Sequence, residues 1–450
     1  MRLFALVLTT IAAVALTACA PPPTIDPVAE ATEPEEPMVR IRIIYTLDAI
    51  DAWTAGAYTV SAAEASPAGM DLPDGSEISL AVDGDNVVLA AGGNELLRAP
   101  QIDFDPEDDA TMMHIEAVPY GIGWWWEGVE DRSYIGPIRS FVNDQGLLDV
   151  VVTLPLEEYL RGVIPQEIGA DSPEEALKAQ AIAARSDTII ALRTGKYEGP
   201  GYDICADVEC QVYGGAGKHA PGTDAAIEAT RGLVLTYQGE PFSGFYASNC
   251  GGHSEDIQNV WPTRSANGEP YWSGYFDAPE PFDYDLRNED DLRRWLEANP
   301  DVYCNPAVHD PYPQWAAQNF RWEREFTAEE MAEHAASQQD IGRVLSIEAV
   351  ERGVSGRAHL VRFTGEDGEF EIGPELPIRQ VWTPPLRSAA FVVDTEDDPD
   401  GVPERFIISG GGWGHGVGMC QTGAIVRAYQ GQDYRQILSA YYRESDVAHY

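Results

Sequence analysis

One glutamate, Glu167, lies in a mostly apolar stretch, Val163-Ile-Pro-Gln-Glu167-Ile-Gly-Ala-Asp171, between two predicted helices. Apolar neighbours such as Ile164 and Ile168 desolvate a carboxyl group and raise its pKa, so that it holds a proton near neutral pH as a general acid must. A glutamate that caps the following helix is an equally good interpretation. The residues alone leave both open.

A second group consists of residues with metal-binding side chains, namely Cys205, Cys210, Cys250 and His253. Short gaps between such residues suit a tetrahedral zinc ion. In an exported chain the same cysteines also suit disulfide formation. A metal site and a disulfide therefore remain alternatives.

Two further clusters are rich in glycine or tryptophan. Seven glycines surround Trp413 and His415 in GGGWGHGVGMCQTGA at 410–424, and such density lets a backbone approach a ligand or another segment closely. The triple Trp124-Trp125-Trp126 can stack on sugar rings. Consecutive side chains point to different faces, however, so we give this triple low functional weight.

The elements that must position these residues alternate between helix and strand. The glutamate loop lies between a short helix at 155–162 and a long helix at 172–193. The long helix has the strongest start signal of the chain, because Ser172-Pro173-Glu174-Glu175 reads as an N-cap, a first-turn proline and a capping-box glutamate, and Gly195 follows as a stop.

Period-two alternation predicts a small β-rich unit at 39–115, with a hairpin at 78–89. Further strands are predicted at 147–154, 231–248 and 343–394, and further helices at 291–298, 327–338, 421–430 and 434–442. Helices interleaved with antiparallel-like strands, without a βαβ repeat, predict an α+β fold, with the main domain at 116–450.

The first 18 residues have the form of a cleaved export signal, with an apolar run that ends in Leu16-Thr17-Ala18-Cys19. This ending is similar to the bacterial lipobox and predicts that Cys19 becomes the acylated first residue. Residues 19–38 are rich in Pro and Glu and predict an extended tether. Five cysteines then remain, at 205, 210, 250, 304 and 420, so at least one is unpaired in any intrachain disulfide scheme.

The chain is strongly acidic. It has 450 residues, 29 Lys and Arg against 74 Asp and Glu, and a formal net charge of −45. Nucleic acid is therefore excluded as a partner, because phosphate backbones are bound by excess cation.

Six motifs occur in a characteristic order: LPLEEYLRGVIPQE at 154–167, ALKAQAIAAR at 176–185, CQVYG at 210–214, SNCGGHSE at 248–255, LRS at 386–388 and GWGHGVGMCQ at 412–421. Together they resemble the SpoIID/LytB family, named for a stage II sporulation protein and an amidase enhancer of bacterial cell walls. The resemblance extends from about residue 115 to the C-terminus. It implies a catalytic region of mixed helices and antiparallel strands.

The resemblance further implies a lytic transglycosylase that acts on peptidoglycan strands stripped of stem peptides. Glu167 would be its single acid and base and would leave 1,6-anhydro ends. Gln180, Arg185, Tyr213 and His415 would bind sugar or orient Glu167. The expected location is outside the cytoplasm, with a lipid anchor in a membrane at Cys19.

Two alternatives belong to other classes of protein. One is a non-catalytic wall-binding factor that enhances a separate N-acetylmuramoyl-L-alanine amidase, and the other is a structural lipoprotein. The proposed reaction requires no cofactor. Some family members bind zinc before the Gln-x-Tyr segment, and Cys205 and Cys210 match two of those ligands, but Glu209 and Gly199 stand where histidines are expected. Cys250, His253 or Glu209 would have to complete a structural zinc site.

Overall fold

The computed structural model describes residues 36–62, 66–263 and 269–450. The first half of the described chain consists mainly of β-strands, in which buried and exposed residues alternate. Turns that contain glycine join many of these strands. The strands are β1 (Met38–Leu47), β2 (Ala49–Ala55), β3 (Tyr58–Ala62), β4 (Ser66–Leu72), β5 (Glu77–Asp83), β6 (Asn86–Ala91), β7 (Asn94–Ala99), β8 (Gln101–Pro106), β9 (Met112–Tyr120), β10 (Gly128–Ile135), β11 (Ile138–Val142), β12 (Leu148–Pro155), β13 (Ile204–Cys205), β14 (Leu233–Tyr237), β15 (Glu240–Pro241), β16 (Tyr246–Ala247), β17 (Arg321–Thr327), β18 (Val344–Arg352), β19 (Ala358–Gly365), β20 (Glu369–Ile372), β21 (Phe391–Asp397), β22 (Pro403–Gly411), β23 (Met419–Cys420) and β24 (Asp446–His449).

Helices lie mainly in the second half. They are α1 (Leu156–Ile164), α2 (Glu174–Thr194), α3 (Pro221–Ala229), α4 (Ile257–Val260), α5 (Glu289–Glu297), α6 (Ala328–Ala336), α7 (Glu375–Arg379), α8 (Gln421–Tyr429) and α9 (Tyr434–Tyr441), with a π-helical turn at Pro165–Gly169 and 3-10 turns at Ala216–Lys218, Pro270–Trp272 and Gln314–Asn319. Mixed helices and mostly antiparallel sheets confirm the predicted α+β class.

Two sheets form the N-terminal part of the described chain. One has the strand order β13-β1-β12-β11-β8-β3-β4, and the other has the order β10-β9-β2-β5-β6-β7. The region at 39–115 is β-rich as predicted, and β5 and β6 form the predicted hairpin. Both sheets nevertheless continue past residue 115, because β1 pairs with β12 and β9 pairs with β10. Residues 36–450 cluster as one unit, so the strands do not separate at that boundary.

Helix α2 is the centre of the region that carries the first three sequence motifs. Most of its side chains are buried, and its alanines let other segments approach closely: a Cβ added to Gly244 would lie 2.6 Å from the Ala183 carbonyl oxygen. The helix ends at Gly195, which has φ of +65°, as the sequence predicts. The predicted cap by Ser172 is wrong, because its hydroxyl donates to the Ile168 carbonyl at 2.7 Å instead of to a helix N–H.

The C-terminal half adds two three-stranded sheets, β17-β22-β21 and β18-β19-β20. It returns to α2 through a short parallel pair, β16 and β23, in which Tyr246 is opposite Met419 and Ala247 is opposite Cys420. This pairing sets the start of α8 beside α2.

The predicted export signal, Cys19 and most of the tether lie outside the described residues. The end of the tether is described: the Glu157 N–H donates to the Glu36 carboxylate at 2.7 Å. In the part of the chain that the structure describes, we find no helix with the length and apolar character needed to cross a bilayer.

Candidate active site

Glu167 lies in the middle of the π-helical turn Pro165–Gly169, which continues directly from α1. Ile168, the next residue, is fully buried and fixes the turn to the core. Gly169 ends the turn with φ of +84°, a conformation that favours glycine. The apolar and glycine residues around Glu167 therefore hold its backbone in place.

The Glu167 carboxyl group is surrounded by protein, although the residue as a whole is partly exposed. Desolvation raises its pKa from 4.5 to about 7. The Val212 N–H, at 2.8 Å from Oε1, and the side chains of Gln421 and Tyr246 act in the opposite direction and lower the pKa. The group is consequently balanced between its protonated and ionised forms near neutral pH.

Val212 is held at Glu167 by the residues on either side of it. The Gln211 side chain is buried, where it accepts from the Tyr159 hydroxyl at 3.1 Å and donates to the Ala184 carbonyl at 3.1 Å. Tyr213 packs against α1 so closely that a Cβ on Gly162 would lie 2.3 Å from its ring. These two anchors fix the backbone N–H between them.

Tyr246 brings a phenol to the other side of the carboxyl group. Its hydroxyl is buried and makes no hydrogen bond of normal geometry within the described residues, yet it interacts electrostatically with Glu167. His415 contacts the Tyr246 backbone. Burial, with Arg357 and Arg379 nearby, lowers the pKa of His415 to about 3, so this imidazole is neutral, and its Nδ1 accepts from the Val417 N–H at 3.0 Å.

Gln421, the first residue of α8, completes the surroundings of Glu167. Its Nε2 donates to Oε1 of Gln180 at 3.3 Å, and Gln180 is fully buried on α2. Gln180 therefore acts on Glu167 through Gln421. A carboxyl group in this setting can give up a proton and later accept one, which is the chemistry of a single acid and base.

Family models match two parts of the chain: Stage II sporulation protein (SpoIID) at residues 144–237, and a domain of unknown function, DUF8618, at residues 255–418. The stage II sporulation protein D of Bacillus subtilis is 26% identical over 318 residues, which cover 66% of this chain and 76% of that protein. The amidase enhancer of Bacillus subtilis is 26% identical over 307 residues, which cover 65% of this chain but only 40% of that protein. An uncharacterized protein of Brachyspira hyodysenteriae is 29% identical over 333 residues, 73% of this chain and 75% of that protein.

The chain therefore contains a SpoIID domain and is similar to proteins of the SpoIID/LytB family. The SpoIID match contains Glu167 and Val212, whereas Tyr246 follows it and Gln421 follows the second matched region. The surroundings of Glu167 are therefore assembled from inside and outside the matched domain.

Three residues expected to bind substrate are instead fully buried: Gln180, described above, Arg185 and Tyr213. Arg185 is 0% exposed, and its guanidinium forms two hydrogen bonds with the Glu157 carboxylate, at 2.9 and 2.6 Å. Tyr213 is also 0% exposed and packs between the rings of Tyr134 and Tyr159. Neither side chain is available to a sugar, so both act in positioning α1, α2 and Val212.

The predicted metal ligands do not come together. Cys205 and Cys210 form a disulfide, which was the alternative, so their sulfur atoms are not available to the zinc that the family resemblance implies. His253 is buried with its Nδ1 2.6 Å from the Ser254 carbonyl oxygen, and burial lowers its pKa to about 4. Cys250 groups with Cys304 and Cys420 instead.

The tryptophan triple forms a cluster that the sequence does not predict. The rings of Trp124 and Trp126 stack at 5.0 Å, and Trp413 of the glycine-rich segment lies 5.2 Å from Trp125 and 5.4 Å from Trp126. Guanidinium groups cover two of these rings, Arg379 over Trp124 and Arg387 over Trp125. We call these four tryptophans the aromatic patch. Trp125 is 39% exposed, so the patch is open to a ligand.

Trp315 is a further exposed ring, next to the Glu167 turn. A Cβ on Gly169 would lie 3.7 Å from its Nε1, and the residue is 45% exposed. Glu167 does not line either of two cavities in the described structure, which have volumes of about 310 and 430 Å³.

Proposed function

We propose that this protein is a peptidoglycan lytic transglycosylase, held at a membrane by lipid on Cys19, that cleaves glycan strands stripped of stem peptides. The observation that carries the proposal is the Glu167 carboxyl group, which is enclosed by protein and accepts a hydrogen bond from the Val212 N–H at 2.8 Å, and whose pKa desolvation raises to about 7. Relatives named stage II sporulation protein D and amidase enhancer support a role in the bacterial cell wall.

A single carboxyl group suffices for this reaction. Protonated Glu167 donates its proton to the glycosidic oxygen, and the bond from that oxygen to C1 of muramic acid breaks. The resulting carboxylate removes the proton from the C6 hydroxyl of the same sugar, and O6 bonds to C1 to close the 1,6-anhydro ring. Glu167 ends protonated, and water is not consumed, unlike in an inverting hydrolase, where a second carboxylate activates water.

The neighbours of Glu167 serve both halves of this cycle. Desolvation favours the protonated form that starts the reaction, whereas the Val212 N–H, Gln421 and Tyr246 stabilise the carboxylate that follows proton transfer. Gln180 positions Gln421, and His415 positions Tyr246. Trp315 and the aromatic patch provide apolar ring faces of the kind on which sugars stack.

The test is product analysis by mass spectrometry after incubation with peptide-free glycan strands. We expect anhydro-ended fragments from the wild type and at least a 100-fold slower release from Glu167→Gln, because general acid catalysis contributes about 10²- to 10⁴-fold. Asp171→Asn is the matched control, since it removes one exposed negative charge near the same turn.

Other products would contradict the proposal. Fragments with reducing ends would show hydrolysis, and equal rates in Glu167→Gln and the wild type would remove Glu167 from the reaction. If the pure protein binds strands without cleaving them and accelerates an added N-acetylmuramoyl-L-alanine amidase, the function is amidase enhancement, which the name of one relative favours.

The lipid anchor is tested separately by fractionation. We expect the full-length protein to sediment with membranes and Cys19→Ala to appear in the soluble extracytoplasmic fraction. Equal membrane association of both proteins would contradict acylation at Cys19.

A further inference from the structure

Three buried cysteines, Cys250, Cys304 and Cys420, come together away from the disulfide. Their sulfur atoms all lie within 4.8 Å of one another, and the residues are 3%, 0% and 1% exposed. They arrive from three different segments: Cys250 follows β16, Cys304 follows α5, and Cys420 ends β23. We call them the three-cysteine cluster.

The spacing of the sulfur atoms suits one small ion. Cys250 Sγ and Cys304 Sγ are 3.6 Å apart. Two thiolates on one tetrahedral zinc ion, each about 2.3 Å from the metal, are separated by roughly 3.8 Å. The distance between the two sulfur atoms is therefore close to that in a mononuclear thiolate site.

The surroundings also suit thiolates. The Cys420 sulfur accepts two backbone N–H groups, from Cys250 at 3.2 Å and from Gly423 at 3.4 Å. Such bonds orient and stabilise metal-bound sulfur. A carboxylate is close at hand too, because Asp277 Oδ2 lies 3.9 Å from Cys250 Sγ and is fully buried.

Buried cations compensate the negative charge of this region. Arg427 donates to Asp277 at 2.7 Å. Arg357 donates to the Cys250 carbonyl at 3.3 Å, and Arg321 donates to the neighbouring Gly251 carbonyl at 3.0 Å. Several buried negative charges without a metal or cations would be strongly unfavourable.

We propose that the three-cysteine cluster is a structural zinc site, with the thiolates of Cys250, Cys304 and Cys420 as ligands and the Asp277 carboxylate, whose Oδ2 lies 3.9 Å from Cys250 Sγ, as the candidate for the fourth position. Binding exchanges the thiol protons for the ion. Three cysteines cannot all pair with one another, so disulfide formation accounts for at most two of them and leaves a third buried thiol unexplained.

The site would fasten the start of α8. Cys420 directly precedes Gln421, whose side chain interacts with Glu167. The Cys250 N–H donates to the Cys420 sulfur, and the Cys304 sulfur lies within 4.8 Å of it. The ion takes no part in glycan cleavage. Its role is to join three segments that are far apart in the sequence.

Metal content tests the proposal without reference to activity. The full chain is expressed in zinc-supplemented medium, purified without chelator, and analysed by mass spectrometry for zinc per chain. We expect about one ion in the wild type and about a tenth of that or less in Cys304→Ser and Cys420→Ser. The double variant Cys205→Ser/Cys210→Ser is the matched control and retains the ion, because its sulfur atoms belong to the separate disulfide.

Cobalt substitution keeps the test decisive if the serine variants do not fold. Wild-type protein loaded with Co²⁺ should show the thiolate charge-transfer and tetrahedral absorption bands of a sulfur-rich site. Absence of both zinc and these bands would overturn the proposal. So would a Cys250–Cys304 disulfide found by alkylation and peptide mapping in the purified protein, or loss of zinc from the control variant.

Discussion

At the scale of single residues, the raised pKa that suits Glu167 to the proposed reaction also lowers the stability of the folded protein above neutral pH. Its pKa is raised from 4.5 to about 7, so the folded state favours the protonated form. As pH rises from 4.5 through 7, ionisation in the folded state becomes progressively unfavourable relative to the unfolded chain. The raised pKa therefore stabilises the folded protein by ~3 kcal/mol below pH 4.5, and this stabilisation is lost as pH rises to 7 and above.

Glu167→Gln should therefore stabilise the protein at alkaline pH. We expect its free energy of unfolding to exceed that of the wild type by up to ~3 kcal/mol at pH 8.5, and to match it at pH 4, because glutamine does not ionise. Urea denaturation of both proteins at the two pH values measures this difference. A difference that does not change with pH would contradict the raised pKa.

Tyr246→Phe should shift the pH dependence of glycan cleavage. The Tyr246 side chain lowers the pKa of Glu167, so its removal raises that pKa further and extends the protonated form to higher pH. We expect the alkaline limb of the rate profile to move upward by about one pH unit.

Tyr58→Phe is the control for this change, because the Tyr58 hydroxyl is also buried without a hydrogen-bond partner among the described residues but lies in the N-terminal sheets. An unchanged pH profile in Tyr246→Phe, or an equal shift in Tyr58→Phe, would show that the Tyr246 hydroxyl does not lower the pKa of Glu167.

The desolvation of Glu167 could be predicted from the sequence, whereas most of the residues around its carboxyl group could not. Its apolar neighbours are adjacent in the chain, and they predict a desolvated carboxyl group. Val212 contributes a backbone N–H, which every non-proline residue has, so no residue type reveals it. Tyr246 and Gln421 meet Glu167 only through the pairing of β16 with β23, a long-range contact that local patterns do not encode.

At the scale of elements, α1 and the segment at 210–214 form one positioning device. Gly162 allows the Tyr213 ring to lie directly on α1, and Gln211 fixes the same segment to α2 through Ala184. The motif Cys210-Gln-Val-Tyr-Gly thus encodes the location of a single N–H. The buried side chains of Gln211 and Tyr213 hold this backbone in place.

Gly162→Ala should disrupt this device. The added methyl group would lie 2.3 Å from the Tyr213 ring, so we expect a loss of about 1–3 kcal/mol in the free energy of unfolding and slower glycan cleavage. Gly222→Ala is the matched control in α3, where the nearest atom would be 3.6 Å away. That variant should be unchanged or up to ~1 kcal/mol more stable in thermal denaturation.

Helix α2 shows where local rules succeed and where they fail. Its extent and its end at Gly195 follow from helix-forming residues and a glycine in the left-handed conformation. The sequence predicts that Ser172 caps its start, but the π-helical turn just before the helix leaves the Ile168 carbonyl available, and the serine hydroxyl donates to that carbonyl. A turn shaped to hold Glu167 thus overrides the capping preference.

At the scale of the whole molecule, the N-terminal sheets contribute to the surface near the family motifs. The loop between β9 and β10 carries the tryptophan triple, and Trp413 of the glycine-rich segment joins it. The patch therefore exists only when the sheets and the C-terminal half are assembled together. The sequence could not predict it, since consecutive tryptophans in an irregular loop have no periodicity.

Trp125→Ala should weaken binding of long glycan strands more than short ones. We expect the Michaelis constant for long strands to rise about fivefold with little change in kcat, which corresponds to the loss of one aromatic contact. Trp53→Ala is the control, because Trp53 is similarly exposed, at 41% against 39%, but stacks on His114 in the second sheet. Equal effects of the two substitutions would contradict a specific role for the patch.

The residues around Glu167 are made at very different times during synthesis of the chain. Gln180 and Gln421, which meet beside the carboxyl group, are 241 residues apart, and Val212 is 45 residues from Glu167. A nascent or truncated chain that lacks α8 already contains the glutamate but not its final neighbour. The surroundings of Glu167 are therefore complete only after the last motif has folded back onto the first, so the glycan cleavage proposed above would begin only once α8 has been made and folded.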